Sequence, residues 1–352
     1  MSGRRRKTSS FIFSEVMAGL RRLEPEEAMV LAAQRVLGDC LSVREGERVL
    51  VVFERDLEEL AAALLMVSDE LGARVDAIQV DASTPESSLV DRLRRRLEAV
   101  DVSVLLAGFA FPRAVRRTLT ENVDRRRHAH MLGLTDAVIR QSLRVDYVDV
   151  DRLGRRLRSA MPLRATIAIE SPAGSDVRVR TDPRCAWVNQ GGLQHGPGWT
   201  NLPAGELATC PASVDGVFVP DGGVWLTDGT ALDRVAVRRL ALHFEGGVLT
   251  RAEGPADVKA ALFEHLDAGR EGRRVGQISF GTNVGVIAPI GVLTQDVKLP
   301  GVHLILGYSA PELTGAAWNG DLLVHLLQRS ATARVGDREV LGRGRYAADL
   351  AG

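Results

Sequence analysis

Between residues 48 and 132, short β-branched runs alternate with stretches of helical length. RVLVVF at 48–53 is a short β-branched run, apolar from Val49 onward, residues 57–71 carry apolar side chains at helical spacing, and the alternation repeats as a strand at 74–80, a helix at 88–100, a strand at 102–107 and a helix leading to a strand near 130–132. Continuously apolar strands are buried on both faces, and strands separated by helices of this length predict right-handed crossovers and a parallel sheet. Helical spacing over 24–41 adds one helix ahead of the first strand. Residues 1–22 are expected to be a disordered tail. The apolar stretch after MSGRRRKTSS is short and broken by Ser14 and Glu15, which is not a secretory signal.

The α/β domain is therefore set at 23–161, and from 162 to 352 the texture changes. ATIAIES, DVRVRT, GVFVP, GVWLTDG, VAVRRLALHF and VLTRAEG alternate apolar and polar residues between Gly, Asp and Asn turns, with one helix at about 256–268. This predicts a β-rich α+β domain, and 352 residues suit two domains. The 45 basic and 45 acidic residues cancel, so no global field draws nucleic acid or an anionic membrane, and no apolar run is long enough to span one. Cys40, Cys185 and Cys210 form neither a disulfide framework nor a zinc ribbon and fit a reducing cytoplasm.

The turn after the first strand reads ERDLEEL, without the glycines that let a pyrophosphate approach the backbone, which argues against a nucleotide cofactor. His128 and His130 follow three arginines with no carboxylate or thiolate beside them, so they read as part of a basic face rather than a metal pair. Only Lys7, Lys259 and Lys298 among the 45 basic residues are lysines, a bias attributed to a GC-rich bacterial genome.

Four segments of the second half set one polar side chain among glycines and apolar residues: NLPAGE at 201–206, QISFGTN at 277–283, GVHLILG at 301–307 and WNGDLLV at 318–324. Polar groups in such settings are buried and need partners. In this order, and with VGDREVL at 335–341 as a closing hairpin, they resemble the thermophilic metallo-aminopeptidases of the aminopeptidase T and aminopeptidase S type. The resemblance covers about 163–346 and, less specifically, 45–161. It implies an aminopeptidase T-like fold, a homodimer, a peptide groove and a pair of bridged divalent ions.

Carried over residue by residue, it makes Glu206, His303 and Asp321 metal ligands. It puts Gln277 where the family has glutamate, Asn319 where it has histidine, and Ala310 where it has tyrosine, with Tyr308 two places early. Two carboxylates and one imidazole are too little to hold two dications about 4 Å apart. His325 shares a face with Asn319, Asp321 and Leu323 if 321–326 is a strand, but lies too far along it to replace the lost imidazole.

The leading expectation is thus a metal-depleted aminopeptidase-like protein without turnover. It would bind a peptide, such as a precursor peptide of a bacterial natural-product pathway, through Gln277, Asn319, Asn283, Trp318 and Trp199. No cofactor is expected. The alternative is a mononuclear enzyme in which Glu206, His303 and Asp321 hold one zinc or iron ion, either a hydrolase or a ring-cleaving dioxygenase of the 2,5-dihydroxypyridine type, which shares the resemblance.

Overall fold

The computed structural model describes residues 15–352 except 82, 109, 110 and 122. Residues 1–14 of the expected tail lie outside the described residues, whereas 15–20 form a helical turn with Leu20 buried. The chain divides into two compact units. One takes in the chain up to Val148 together with Gly192–Ala204, and the other comprises Asp149–Gly191 and Gly205–Gly352. The division falls thirteen residues before the 161/162 boundary read from the sequence, and the first unit takes back a segment from within the expected second domain. Among the described residues no helix is long and apolar enough to cross a membrane.

The first unit is built on a parallel sheet. β1 (Arg48–Glu54), β2 (Arg74–Val80), β3 (Val102–Ala107) and β4 (Arg127–Leu132) are joined at the edge by β5 (Gly198–Asn201), in the order β2-β1-β3-β4-β5. One face carries Leu50, Val52, Ile78, Leu105 and Ala107 and packs against α1 (Glu86–Leu97) and α2 (Arg113–Thr120). α1 is helical because Leu89, Val90, Leu93 and Leu97 make one apolar stripe, with Glu86 in its first turn and Arg94, Arg95 and Arg96 in its last, each complementing the helix dipole. The strand–helix alternation matches the sequence reading element by element.

The second unit is a sandwich of two antiparallel sheets. An eight-stranded sheet runs from Val248–Glu253 at one edge to Arg345–Tyr346 at the other. The six-stranded sheet contains β6 (Glu206–Thr209), β7 (Gly223–Trp225), β8 (Val275–Gly281), β9 (Gly301–Leu306) and β10 (Val324–Gln328), in the order β7-β10-β9-β8-β6, with Val188–Gln190 beyond β6. Ile167, Val179, Val214 and Phe244 of the first sheet meet Leu207, Phe280, Leu304 and Leu326 of the second in one core, closed by Val258, Leu262 and Leu266 of the helix Ala256–Asp267.

Two local readings change. The stretch 235–240, read as the start of a strand, contains the end of a short helix, Arg234–Val237, and the strand begins at Ala241. β10 begins at Val324, so Asn319 and Asp321 precede the strand and share no sheet face with His325. The closing hairpin is present as Thr332–Val335 and Arg338–Gly342, turning at Gly336 and Asp337.

Candidate functional site

The six-stranded sheet has one face in the sandwich core, and the side-chain period of two puts the polar motif residues on the other. Register aligns Ala208, Ser279, His303 and Leu327 in one row, and Gln277, Ile305, His325 and Trp225 in the next. Glu206 opposes Gly281 one step further along. Leu207, Ile278, Phe280, Leu304 and Leu326 alternate with them and point into the core.

The chain between β8 and β9 folds back over this polar face. Leu293 and Val297 pack on Trp225 and Leu327, and the Leu299 carbonyl passes so close to Gly281 that a Cβ there would lie 1.8 Å from its oxygen. Glycine at 281 is required by that approach. Asp296, fully buried, anchors the returning segment by accepting the Ile290 and Gly291 backbone N–H groups at 2.9 Å each.

This return brings Lys298 onto Glu206. The Lys298 ammonium donates to Glu206 Oε2 in a buried ion pair, and the Ser279 hydroxyl donates to Oε1 at 2.7 Å. Burial works to raise the Glu206 carboxyl, but the Lys298 charge, its hydrogen bond and that from Ser279 outweigh it and hold the group below the ordinary carboxylate value. Glu206 is therefore an anion whose charge is already matched.

His303 is fully buried and uses both ring nitrogens. Nε2 donates to the Leu299 carbonyl at 3.2 Å, which leaves Nδ1 to accept the Gln328 backbone N–H at 3.3 Å. Burial, opposed by the Glu206 charge, pushes its pKa down to about 4. His325 stands in the adjoining row. Burial likewise lowers it to about 4, and its buried Nδ1 has no hydrogen-bond partner.

Asp321 is separate from this group. It is exposed and pairs with Arg270 at 3.3 Å. Glu206, His303 and Asp321 thus do not make a ligand set: the first is neutralised by Lys298, the second has spent both nitrogens, and the third faces another cation. Among the described residues no three His, Cys, Asp or Glu side chains are placed to hold an ion. The donors present do not fit the one-ion site of the alternative expectation.

The neutral substitutions are built into backbone bonds. Gln277 Nε2 donates to the Tyr308 carbonyl at 3.0 Å, and Asn319 Oδ1 accepts the Ser309 backbone N–H at 3.1 Å. Asn283, fully buried, accepts the Gly285 N–H at 3.2 Å. Trp318 is half-buried beneath the Arg274 guanidinium, 3.9 Å from its ring centroid. Tyr308 donates its hydroxyl to Glu312, and Ala310 is buried with a left-handed backbone at φ 52°. Trp199 belongs to the first unit, on β5.

Sequence reasoning missed Lys298 and Ser279. Ser279 lies inside one of the four motifs, and Lys298 is one of three lysines in a chain that otherwise uses arginine, a rarity set aside as codon bias.

No protein-family model and no curated protein matches the sequence. Solved structures do match. The 2,5-dihydroxypyridine dioxygenase of Pseudomonas putida KT2440 aligns with 93% of this chain and 100% of its own at 19% identity and a TM-score of 0.65. Wild-type AmpT of Thermus thermophilus aligns with 91% of this chain and 99% of its own at 15% identity and a TM-score of 0.63.

Proposed function

Starting from the two-domain fold of AmpT, which this chain has over most of its length, we propose that it is a binding protein. It holds an extended peptide beside Gln277, Asn319 and Trp318, next to the polar face that the returning segment covers, and does not hydrolyse it through a metal ion. The observation that carries this reading is the buried ion pair of Glu206 with Lys298. An ion arriving at Glu206 would have to displace an ammonium already in contact, at a cost comparable to breaking a buried salt bridge, about 3–5 kcal/mol.

Hydrogen-bonding capacity for a peptide backbone remains at the two amides. Gln277 commits one N–H to Tyr308 and keeps its oxygen, while Asn319 commits its oxygen to Ser309 and keeps its NH2 group. Trp318, half-buried beneath Arg274, leaves the exposed part of its indole beside Asn319, and Asn283 shapes the start of the segment that carries Lys298. The same reading takes the ligand to be a precursor peptide of a bacterial biosynthetic pathway and the working form to be a homodimer.

Metal content measured by mass spectrometry tests it, on full-length protein prepared with zinc, iron, manganese and cobalt present and no chelator. Substoichiometric metal is expected, together with peptide binding in a fluorescence-polarisation screen that weakens about tenfold in Asn319→Ala. One or more ions per chain, with aminopeptidase or ring-cleaving turnover that Glu206→Gln abolishes, would overturn it. Light scattering reads the dimer.

A further inference from the structure

We propose that β4 and β5 of the first unit carry a separate binding site for an aromatic group bearing an O–H or N–H donor, with His130 Nε2 as its acceptor and the Trp199 ring as its wall. The inference rests on the first unit alone and stands whether or not the peptide reading holds.

His128 and His130 are two residues apart on β4 and point to one face of the sheet, where register sets His128 between Ser103 and Trp199. Their tautomers follow from a hydrogen-bond chain. His128 Nδ1 lies 2.9 Å from the Ser103 hydroxyl, which can donate or accept, and 3.1 Å from the Ser103 carbonyl oxygen, which only accepts; a protonated Nδ1 satisfies both contacts and a bare one only the first, so Nδ1 carries the proton and Nε2 is bare. That bare nitrogen is 3.2 Å from His130 Nδ1, which therefore donates to it. His130 Nε2 is left as a lone-pair acceptor, and it makes no hydrogen bond with any other described residue.

The His130 side chain is only 7% exposed, yet its Nε2 is not one of the buried unpartnered atoms, so the acceptor opens to solvent where a ligand's donor can reach it. Burial and the nearby Arg116 charge lower His130 to about 4, so the ring stays neutral and accepting at physiological pH.

Trp199 supplies the second, independent observation. It is 44% exposed, the one aromatic among the exposed large apolar side chains of the described residues, and stands edge-on to His130 with ring centroids 6.0 Å apart. A phenol or indole lying on Trp199 would bury apolar area and direct its O–H or N–H at His130 Nε2. Arg116, whose Nε is buried without a partner, adds a cation and so favours a ligand with an acidic tail. A metal is the poorer occupant, because both nitrogens of His128 are already committed and His130 offers a single donor.

The probes are 4-hydroxyphenylacetate and its methyl ether, 4-methoxyphenylacetate, added to the full chain. Histidine side-chain 15N spectra should show His130 Nε2 as a bare nitrogen that shifts toward the hydrogen-bonded range with the phenol and not with the ether. Trp199→Ala should weaken phenol binding at least about tenfold, while Trp199→Phe, which keeps a ring, should retain it within a few-fold; an unchanged melting temperature shows that both variants fold. A protonated Nε2 in the free protein, equal binding of phenol and ether, no binding of either at millimolar concentration, or full binding by Trp199→Ala would each overturn the proposal.

Discussion

Replacing Lys298 with methionine removes one charge from the second unit and leaves most of the volume. Lys298 and Glu206 side chains are each about one-tenth exposed, so the pair is screened little by solvent. Two unit charges about 4 Å apart interact by about 4 kcal/mol at an effective dielectric of about 20. Losing one partner of a buried pair costs about 3–5 kcal/mol, because the other charge stays desolvated. In a unit of this size that corresponds to a fall in melting temperature of about 10 °C.

The assay is a double-mutant cycle by urea denaturation at pH 7, with Lys298→Met, Glu206→Gln and the two combined. Each single change is expected to lose most of the pair energy. The combination should lose less than either, since the neutral amide introduced by Glu206→Gln needs no counter-charge and still accepts from Ser279. The pH dependence has a definite sign. In Lys298→Met, burial raises the unpaired carboxyl above its ordinary value, so its deficit relative to the combined variant is full at neutral pH and shrinks as the pH falls through that raised value. A loss under about 1 kcal/mol for Lys298→Met, or a double variant as unstable as the single, would refute the reasoning.

Acid should also act through His303. Its folded pKa of about 4 lies below the ordinary 6.5, so the unfolded chain binds the extra proton and stability is lost as pH drops from about 6.5 to 4. At about 1.4 kcal/mol per unit this amounts to about 3 kcal/mol. Urea midpoints at pH 7, 5.5 and 4.5 check it, and a flat profile would contradict it. Gly281→Ala sets a methyl against the Leu299 carbonyl and should cost about 3 kcal/mol or more, read as a large drop in melting temperature; a shift of a degree or two would mean that the returning segment moves aside freely. Restoring the resemblance with Gln277→Glu and Asn319→His should lose about 1–3 kcal/mol, because the bonds to the Tyr308 carbonyl and the Ser309 N–H go. Zinc titration calorimetry should show no stoichiometric binding, and binding of one equivalent would mean that Lys298 leaves Glu206.

The parallel sheet was legible because its strands carry their own signal: VLVVF and VSVLLA are buried on both faces and need no partner to be recognised. The polar face of the second unit was legible only in part. Glu206, Gln277 and His303 stood out as polar residues inside apolar strands, and register brings them to one face. What local pattern could not give was who neutralises whom. Lys298 reaches Glu206 across 92 residues through a loop whose course is fixed by Gly281, and Asp321, two residues from Asn319, pairs instead with Arg270. The strand supposed to run from 321 failed for a similar reason: Gly320 packs against the Gly307 and Arg270 carbonyls, so the backbone there is committed to close contacts rather than to a ladder. His128 and His130 were read as solvated because neighbouring arginines dominate the local sequence, whereas β3 and β5 on either side bury them.

The fifth strand of the first unit arrives late in the chain. β4 ends at Leu132, yet its neighbour β5 begins only at Gly198, after the polypeptide has entered and left the other unit. During synthesis at about 5–20 residues per second, β4 therefore waits several seconds with an open edge that no local segment can cover. His130 and the surface that Trp199 will flank are assembled only at the close of that interval. A ribosome-bound chain arrested when residue 150 has just left the exit tunnel should expose β4 to proteases and holdase chaperones, and one arrested after Ala204 has left it should not. The nascent protein thus has a timed vulnerability, set by the order in which its strands are translated.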